Sequence, residues 1–546
     1  MNIAWLKYKK NRRGRDPLGV QAINIHLYAL LIPGITNVTQ RLRYYSFFPW
    51  LLYNYNQQKP KVDFVSYLRR SEFLFGLITN YHHRHVNDWR PHMVGTNVIN
   101  MALMSFSEEK VVDLKKYTGL LDSPERYWKF KTGGFGQIYL GPLSDLGVLM
   151  RKSAINYSLY SARGQDLAKS FQDGGLKEKF LSCVYEGKVT EKELQEFEKV
   201  FCVCSIDDNS EEYRLLADYM SGVDRELEGS TYRRRDSLAL AFALLKHLEE
   251  PSDIWEMLNI LYFGRNRKGK GFVVPTRLLD IAICWKYHVR HEYFSIGISG
   301  MFVGVQHLLS ENRLTFENIA QNCWSKFLVQ FDAKADTKKI VETQTKMIKN
   351  STLEGFLDWI EKNYDASRVW DQKELNEYNL ANDILNKSYP ADEIFFKGFL
   401  LVLFSMIRAV NLNDDSLPGI NLLLFFRQYP INLTALKKDC LNKWMKMPVF
   451  DVMADLLHRY VLNAHLDVAI RKLYSEGLAT FRFLREDSDF SHSGMEIDTV
   501  SQTSPRLKKA LQMLSDLNIV KESSGGFWVN NSQNGDAYFK DLIDGN

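Results

Sequence analysis

The segment RLRYYSFFPWLLYNY, residues 41–55, constrains the fold more than any other stretch of this chain. Its side chains are mostly aromatic or aliphatic, so a helix formed from it is apolar on almost every side and should be buried. It nevertheless carries Arg41 and Arg43, and a guanidinium is very costly to bury without a partner. The sequence therefore predicts that each arginine meets a carboxylate, backbone carbonyl groups or a bound anion.

The spacing of apolar residues predicts a helix over residues 36–55, with Thr36 as its cap. Pro49 lies within this helix and has no backbone N–H, so the carbonyl of Tyr45 is left without its usual partner and a kink is predicted. We expect Asp16 or another carboxylate to pair with the two arginines for structural reasons. An anion-binding site is the alternative.

The composition indicates a globular protein with sizeable cores. Of the 546 residues, 45% are hydrophobic and 13% aromatic, and a chain of this length has room for about three or four domains. The net charge of +5, from 70 basic and 65 acidic residues, is too small to indicate nucleic-acid binding by itself. Any such role must therefore depend on local basic patches.

The cysteines and the most apolar segment indicate where the protein works. Six scattered cysteines fit the reducing cytoplasm, and Cys202 and Cys204, the only close pair, lack the second pair that would complete a zinc site. The segment 394–410 is interrupted by Lys397 and Arg408, so we predict a buried core helix and no contact with a membrane.

Three consecutive regions differ in character. Residues 1–160 are predicted to form an aromatic-rich N-terminal domain, residues 161–450 a helical middle domain, and residues 451–546 a winged-helix-like domain. In the last region a helix begins at Ser504 and Pro505, and two short strands follow around a Ser-Gly-Gly turn. A helix followed directly by a hairpin is how a winged-helix domain ends. The predicted fold class is therefore mainly α and multi-domain, with a C-terminal winged-helix-like domain.

Three segments resemble a family of uncharacterised prokaryotic proteins. DPLG…LYALLIPGITNVTQRLRYYSFFPWLL (16–52) resembles the family's N-terminus, although Ile32 stands where an aromatic residue is typical. LLHRYVLNAHLDVAIRKLYSEGLATFRF (456–483) and TSPRLKKALQMLSDLNI (503–519) are similar to its C-terminal part. Genes of this family lie in anti-phage defence islands, often beside helicases or nucleases. The resemblance implies this setting but no activity and no catalytic residues.

Two basic clusters are candidate nucleic-acid contacts. The glycine-rich segment FGRNRKGKGF (263–272) brings flexible backbone amides and cations together, as phosphate binding requires, although it lacks the order of a nucleotide-binding P-loop. A solvated basic loop is the alternative. The second cluster comprises exposed cations at the start of the C-terminal helix and of the wing. The candidate residues are Arg265, Arg267, Lys268 and Lys270 in the first cluster, and Arg506, Lys508, Lys509 and Lys521 in the second.

Two motifs that resemble enzyme sites are interpreted as coincidence. KTGGFGQIYLG (131–141) follows no apolar strand and is expected to open no helix, so we reject a dinucleotide site. Asp173 with Glu186 and Lys188 loosely matches the spacing of a PD-(D/E)xK nuclease. We expect Glu186 to end a helix capped by Gly187 instead.

A third segment, YHHRHVNDWRPH (81–92), places several histidines near one aspartate. Because their spacing matches no helical ligand pair, a polar surface segment is favoured over a metal site. The histidines are His82, His83, His85 and His92, and the aspartate is Asp88.

Together these features predict a DNA-associated, non-catalytic component of a bacterial anti-phage defence complex in the cytoplasm. Duplex DNA and other defence proteins, such as a helicase or a nuclease, are the expected partners. The alternatives are a metal-dependent nuclease and a protein-docking scaffold without DNA contact. No catalytic residue, cofactor or metal site is predicted.

Overall fold

The structure is a computed structural model. It describes residues 14–58, 62–86, 93–121, 123–151, 157–159, 161–222, 231–248, 250–333, 348, 351–363, 376–386, 389–411, 417–421, 429–523 and 525–529, with 535, 537, 538, 540 and 542. Helices dominate these residues, so the prediction of a mainly α fold is confirmed. No helix within the described ranges combines the length and apolar character needed to cross a membrane.

The elements are labelled in chain order. The helices are α1 (Gln21–Leu31), α2 (Tyr44–Gln58), α3 (Phe64–Val86), α4 (Thr96–Glu109), α5 (Leu114–Thr118), α6 (Leu140–Asp145), α7 (Ser161–Ser170), α8 (Lys177–Glu186), α9 (Glu191–Phe197), α10 (Glu211–Ser221), α11 (Thr231–His247), α12 (Ile254–Phe263), α13 (Leu279–Glu311), α14 (Phe316–Ala333), α15 (Leu353–Asn363), α16 (Glu377–Leu385), α17 (Ala391–Asn411), α18 (Leu433–Asp439), α19 (Val449–Leu456), α20 (Ala464–Glu476) and α21 (Arg506–Asp516). The strands are β1 (Val111–Asp113), β2 (Leu149–Arg151), β3 (Tyr157–Leu159), β4 (Lys188–Thr190), β5 (Leu314–Thr315), β6 (Phe483–Glu486), β7 (Asp489–His492), β8 (Val520–Ser523) and β9 (Gly526–Val529). Wider π-helical turns occupy Phe135–Tyr139, Cys440–Trp444 and Leu457–Asn463, and a 3₁₀ turn occupies Thr276–Leu278.

The chain forms two compact units, each assembled from non-adjacent stretches. Unit 1 comprises Met1–Leu27 and Trp255–Thr503, and unit 2 comprises Tyr28–Ile254 and Ser504–Asn546. The two units are defined by which residues pack together in space, whereas the sequence regions above were defined by their composition. The three consecutive domains inferred from composition stay a prediction.

The core of unit 2 is built around α2, which begins at Tyr44 and not at Thr36 as predicted. Residues 36–43 instead form turns, because the Thr36 hydroxyl accepts a hydrogen bond from the Thr39 amide at 3.3 Å. Pro49 lies inside α2, as predicted, and the helix is buried from Tyr44 to Leu52. Aromatic rings from neighbouring elements pack against it, with the closest stacked pair formed by Phe47 and Phe75 at 3.9 Å between ring centroids.

A second part of unit 2 joins distant segments of the chain. Helices α10, α11 and α21 pack against one another, and the antiparallel hairpin β8–β9 follows α21. Ser252, just beyond α11, pairs with Phe527 of β9 through two backbone hydrogen bonds of 3.2 and 3.0 Å. The predicted helix and hairpin of the C-terminal region are therefore present as local elements.

Unit 1 is centred on the 33-residue helix α13 and on α17, which cross closely. The apolar segment 394–410 lies within α17 and is largely buried, as expected of a core helix. Lys397 is buried there because Asp383 and Glu393 accept from its ammonium group at 2.9 and 3.2 Å. The small sheet β5–β7–β6 lies beside α13.

Candidate functional site

Arg41 and Arg43 are held by protein groups inside unit 2. Arg41 forms an ion pair with Asp516, in which its Nε and Nη2 atoms both lie 3.0 Å from Oδ1. Asp516 also accepts from the amide of Leu42 at 2.9 Å. Arg43 is completely buried and pairs with Glu212 at 3.2 Å. Each guanidinium therefore pairs with a carboxylate, as expected if the two arginines have a structural role.

The predicted partner Asp16 has a different role. Its side chain accepts from the amide of Ala22 in the first turn of α1 at 3.2 Å. Burial raises the pKa of Asp16, and the nearby Lys472 ammonium acts in the opposite direction. The DPLG element therefore leads into α1, and the carboxylates that pair with the arginines are Asp516 and Glu212 rather than Asp16.

The basic loop at 263–272 is an ordered turn in unit 1. The amide of Phe272 donates to the carbonyl of Gly264 at 2.8 Å, and the Asn266 side chain accepts from the amides of Lys268 and Lys270 at 3.0 and 2.9 Å. Both lysine side chains are exposed at the tip of the turn, and Arg265 is half-buried.

Arg267 connects this loop to neighbouring helices through side-chain contacts. Its guanidinium lies 3.3 Å from the carboxylate of Glu256 and donates to the hydroxyl of Tyr378 at 2.8 Å. Lys268, Lys270 and Arg267 are all exposed, whereas Arg265 is half-buried.

The cations of the C-terminal helix are not equally exposed. Lys508 and Lys521 are exposed, whereas Arg506 and Lys509 are half-buried. Arg506 donates to the carbonyl of Ile35 at 2.8 Å, and burial lowers its pKa. Burial also lowers the pKa of Lys509. The expectation that these cations are exposed was wrong for Arg506 and Lys509 and right for Lys508. The side chain of Arg506 turns back onto the protein to reach the Ile35 carbonyl.

The residues with nuclease-like spacing make local structural contacts. Asp173 accepts from the Gly175 amide at 3.0 Å and from the Trp50 indole at 3.3 Å. Glu186 ends α8, and Gly187 caps that helix in the left-handed conformation, as predicted. These contacts explain the residues without a metal-dependent reaction.

The glycine-rich segment 131–141 packs around a buried carboxylate. The Gly134 amide donates to Glu72 at 2.9 Å, and a Cβ on Gly133 would lie 2.2 Å from a Glu72 oxygen. A π-helical turn and α6 follow at once, so the expectation that this segment opens no helix was wrong. Its glycines permit close approach to Glu72, and burial raises the pKa of that residue to about 7.

One group of residues is brought together that sequence spacing did not reveal. His82 and His83 lie near the end of α3 and are half-buried, so they are less exposed than a polar surface segment would be. They face Cys202 and Cys204, which lie in the loop between α9 and α10. His85 is exposed, and Asp88 and His92 lie outside the described residues.

The geometry of this group is compact. The two cysteine sulfurs are 2.7 Å apart, and Nε2 of His83 lies 3.4 Å from the sulfur of Cys202. One ligand atom each from His82, Cys202 and Cys204 fall within 4.8 Å of one another. A hydrogen bond from Cys202 lowers the pKa of Cys204. Paired H-H and C-x-C motifs were the available signal, but the long separation between them hides their proximity.

The chain was compared with known proteins at three levels. No family model, curated protein or solved structure matches it. Functional inference therefore rests on this chain's own residues and their arrangement.

Proposed function

We propose that the chain is a DNA-associated, non-catalytic component of a bacterial anti-phage defence complex. We further propose that a winged-helix-like module, assembled from residues 211–254 and 504–529, makes the DNA contact. The observation that carries this proposal is the packing of α10, α11 and α21 with a β-hairpin directly after the third helix.

The order of elements supports the winged-helix interpretation. Helices α10 and α11 are followed by the short extended segment at Ser252, and α21 is followed by the strands β8 and β9. Ser252 pairs with β9 and so adds a third strand position to this hairpin. In this arrangement α21 takes the place of the recognition helix, the element that enters the major groove in helix-turn-helix proteins. The hairpin takes the place of the wing.

The charges of the module suit a backbone contact. Lys508 lies in the first turn of α21, where the helix dipole already favours an anion. Lys521 lies on β8 and is exposed. Because these are isolated lysines and not a bidentate arginine pair, we expect contacts with phosphates rather than with base edges. Binding should be weak and sensitive to salt.

The defence setting rests on the resemblance of the segments 16–52, 456–483 and 503–519 to proteins encoded in defence islands. Neighbouring helicases or nucleases would supply the catalytic activity of such a complex. The chain itself would then contribute DNA contact and assembly.

The proposal is tested by measuring binding of the full-length protein to labelled duplex DNA at several salt concentrations. Reversing both exposed lysines, Lys508→Glu with Lys521→Glu, should weaken binding and reduce the salt slope by about two, since each lost phosphate contact lowers it by about one. The matched control is Lys188→Glu with Lys192→Glu, which makes the same charge change at exposed positions elsewhere in unit 2.

Three outcomes would contradict the proposal. Equal salt slopes for the two double variants would remove the module from the DNA contact. A folded protein without DNA affinity at low salt would favour a protein-docking scaffold. Metal-dependent degradation of the DNA would favour a nuclease.

A further inference from the structure

We propose that Cys202, Cys204, His82 and His83 bind a zinc ion that links the end of α3 to the loop between α9 and α10. The site lies within unit 2 and is independent of the DNA contact proposed above. It would be structural, because four protein ligands leave no open position for a substrate.

Ligand atoms of Cys202, Cys204 and His82 lie within 4.8 Å of one another, and His83 lies outside that group, so a tetrahedral site requires small movements of these side chains. Zinc bonds of about 2.3 Å to sulfur and 2.0–2.1 Å to nitrogen place neighbouring ligand atoms roughly 3.3–3.8 Å apart in a tetrahedron. The 3.4 Å between Cys202 and His83 is close to this edge. The two sulfurs, 2.7 Å apart, would have to separate by about 1 Å on binding.

The cysteine loop is held in place by contacts that do not depend on a metal. The Cys202 carbonyl accepts from the buried Arg43 at 2.7 Å, and the Val203 amide donates to the Thr79 hydroxyl on α3 at 3.1 Å. The Cys204 amide approaches the Cys202 sulfur at 3.4 Å, a contact that favours a thiolate. The loop is therefore already aligned with the helix that carries the histidines.

A second layer of contacts suits a metal-bound histidine. Nδ1 of His82 is buried, makes no hydrogen bond within the described residues, and lies 3.9 Å from a Glu198 carboxylate oxygen. Metal-bound histidines commonly present their other nitrogen to a carboxylate, which fixes the ring orientation and increases its basicity. The same Glu198 oxygen lies 3.5 Å from Nδ1 of His85, so a small movement toward His82 would let it serve as this partner.

The chemistry of the ligands selects the metal. Two thiolates and two neutral imidazoles form the softer ligand set that zinc prefers over magnesium or calcium, whose sites use oxygen ligands. Two thiolates also neutralise Zn²⁺, so the half-buried site would carry no net charge. A disulfide between the same two cysteines is the rival interpretation of their proximity.

The first test uses the full-length protein purified under reducing conditions without chelator. We expect about one zinc ion per chain by mass spectrometry of the metal content. Replacing zinc by Co²⁺ should produce thiolate-to-cobalt charge-transfer bands and the intense visible bands typical of tetrahedral cobalt. Zinc-free protein that shows no such bands after Co²⁺ addition, or that contains a Cys202–Cys204 disulfide, would overturn the proposal.

The second test assigns the ligands. Cys204→Ser and His82→Ala should each lose most of the bound metal, whereas Cys183→Ser, which changes a buried cysteine elsewhere in unit 2, should retain it. Loss of metal in all three variants, or retention in all three, would contradict the assignment. If a ligand variant does not fold, the cobalt spectrum of the unmodified protein still decides whether the site exists.

Discussion

Arg43 shows how a full charge is accommodated in an apolar core. Its side chain is entirely buried, yet it pairs with Glu212 and donates to the carbonyls of Cys202 and Gln172 at 2.7 and 3.0 Å. The aromatic ring of Phe171 lies beneath the guanidinium, 4.7 Å away. An apolar segment can therefore contain an arginine when the surrounding backbone supplies acceptors.

Glu72 provides a test at the same scale. Burial raises its pKa from an ordinary 4.5 to about 7, against the hydrogen bonds from Tyr127 and Gly134 that favour the charged form. Between these two values the folded protein keeps a proton that the unfolded chain releases. The contribution of Glu72 to the free energy of unfolding should therefore fall as the pH rises from 4.5 to 7, and stay low above that range.

The side chain of Glu72→Gln stays neutral at every pH. We therefore expect its free energy of unfolding, relative to that of the unmodified protein, to increase by on the order of 3 kcal/mol between pH 4 and pH 8. Urea unfolding at both pH values measures the difference. Glu178→Gln, at an exposed position, is the control and should show no such gain. A Glu72→Gln difference that is the same at both pH values would mean that the carboxyl does not titrate in this range in the folded state.

At the scale of elements, the crossing of α13 and α17 depends on residues without side chains. A Cβ on Gly398 would lie 2.8 Å from the Gly297 carbonyl oxygen and 2.9 Å from the Met301 nitrogen. These are backbone atoms, so they cannot rotate away as a flexible side chain would. The two helices can approach this closely only because both positions are glycine.

We expect Gly398→Ala to lower the free energy of unfolding by about 1–3 kcal/mol, because the helices must move apart. Gly355→Ala in α15 is the matched control. The nearest heavy atom to its new Cβ is the Thr352 hydroxyl at 3.6 Å, and alanine is the better helix former. Chemical denaturation of both variants tests this, and equal stabilities would show that the crossing tolerates the extra carbon.

At the scale of the whole molecule, the C-terminal segment does not belong to one compact unit. Residues 451–503 lie in unit 1, and residues 504–546 lie in unit 2. Within unit 2, α21 buries Leu507, Leu511 and Leu514 and packs against α10 and α11. The apolar face of α21 (Arg506–Asp516) is thus covered by α10 (Glu211–Ser221) and α11 (Thr231–His247), which lie far before it in the chain.

We therefore predict that residues 451–546, expressed alone, do not unfold cooperatively, because α21 lacks the helices that cover it. A chain that joins residues 28–254 to 504–546 through a flexible linker should regain a cooperative transition, since it contains all of unit 2. Circular dichroism during urea unfolding of both chains decides between these outcomes. Cooperative unfolding of the short fragment would instead support a continuous C-terminal domain.

Local patterns in the sequence were sufficient wherever one segment determines its own structure. Gly187 ends α8 as predicted, and Thr190 and Glu193 form a capping box at the start of α9, a motif that four consecutive residues specify. The hairpin after α21 was predicted from its Ser-Gly-Gly turn and the two short strands on either side of it. These features depend on hydrogen bonds between near neighbours, so a short stretch of sequence contains the information that specifies them.

What only the tertiary structure decided involves contacts between distant residues. The need for partners of Arg41 and Arg43 followed from the cost of burying charge, but the identities of Asp516 and Glu212 did not. The start of α2 was misplaced for the same reason, since Asp516 also holds the amide of Leu42 outside the helix. Residues far apart in the sequence must also come together to pack α10 and α11 against α21. The same holds for the contact between the histidine pair on α3 and the cysteine pair after α9. Spacing within a single segment carries no signal for such contacts.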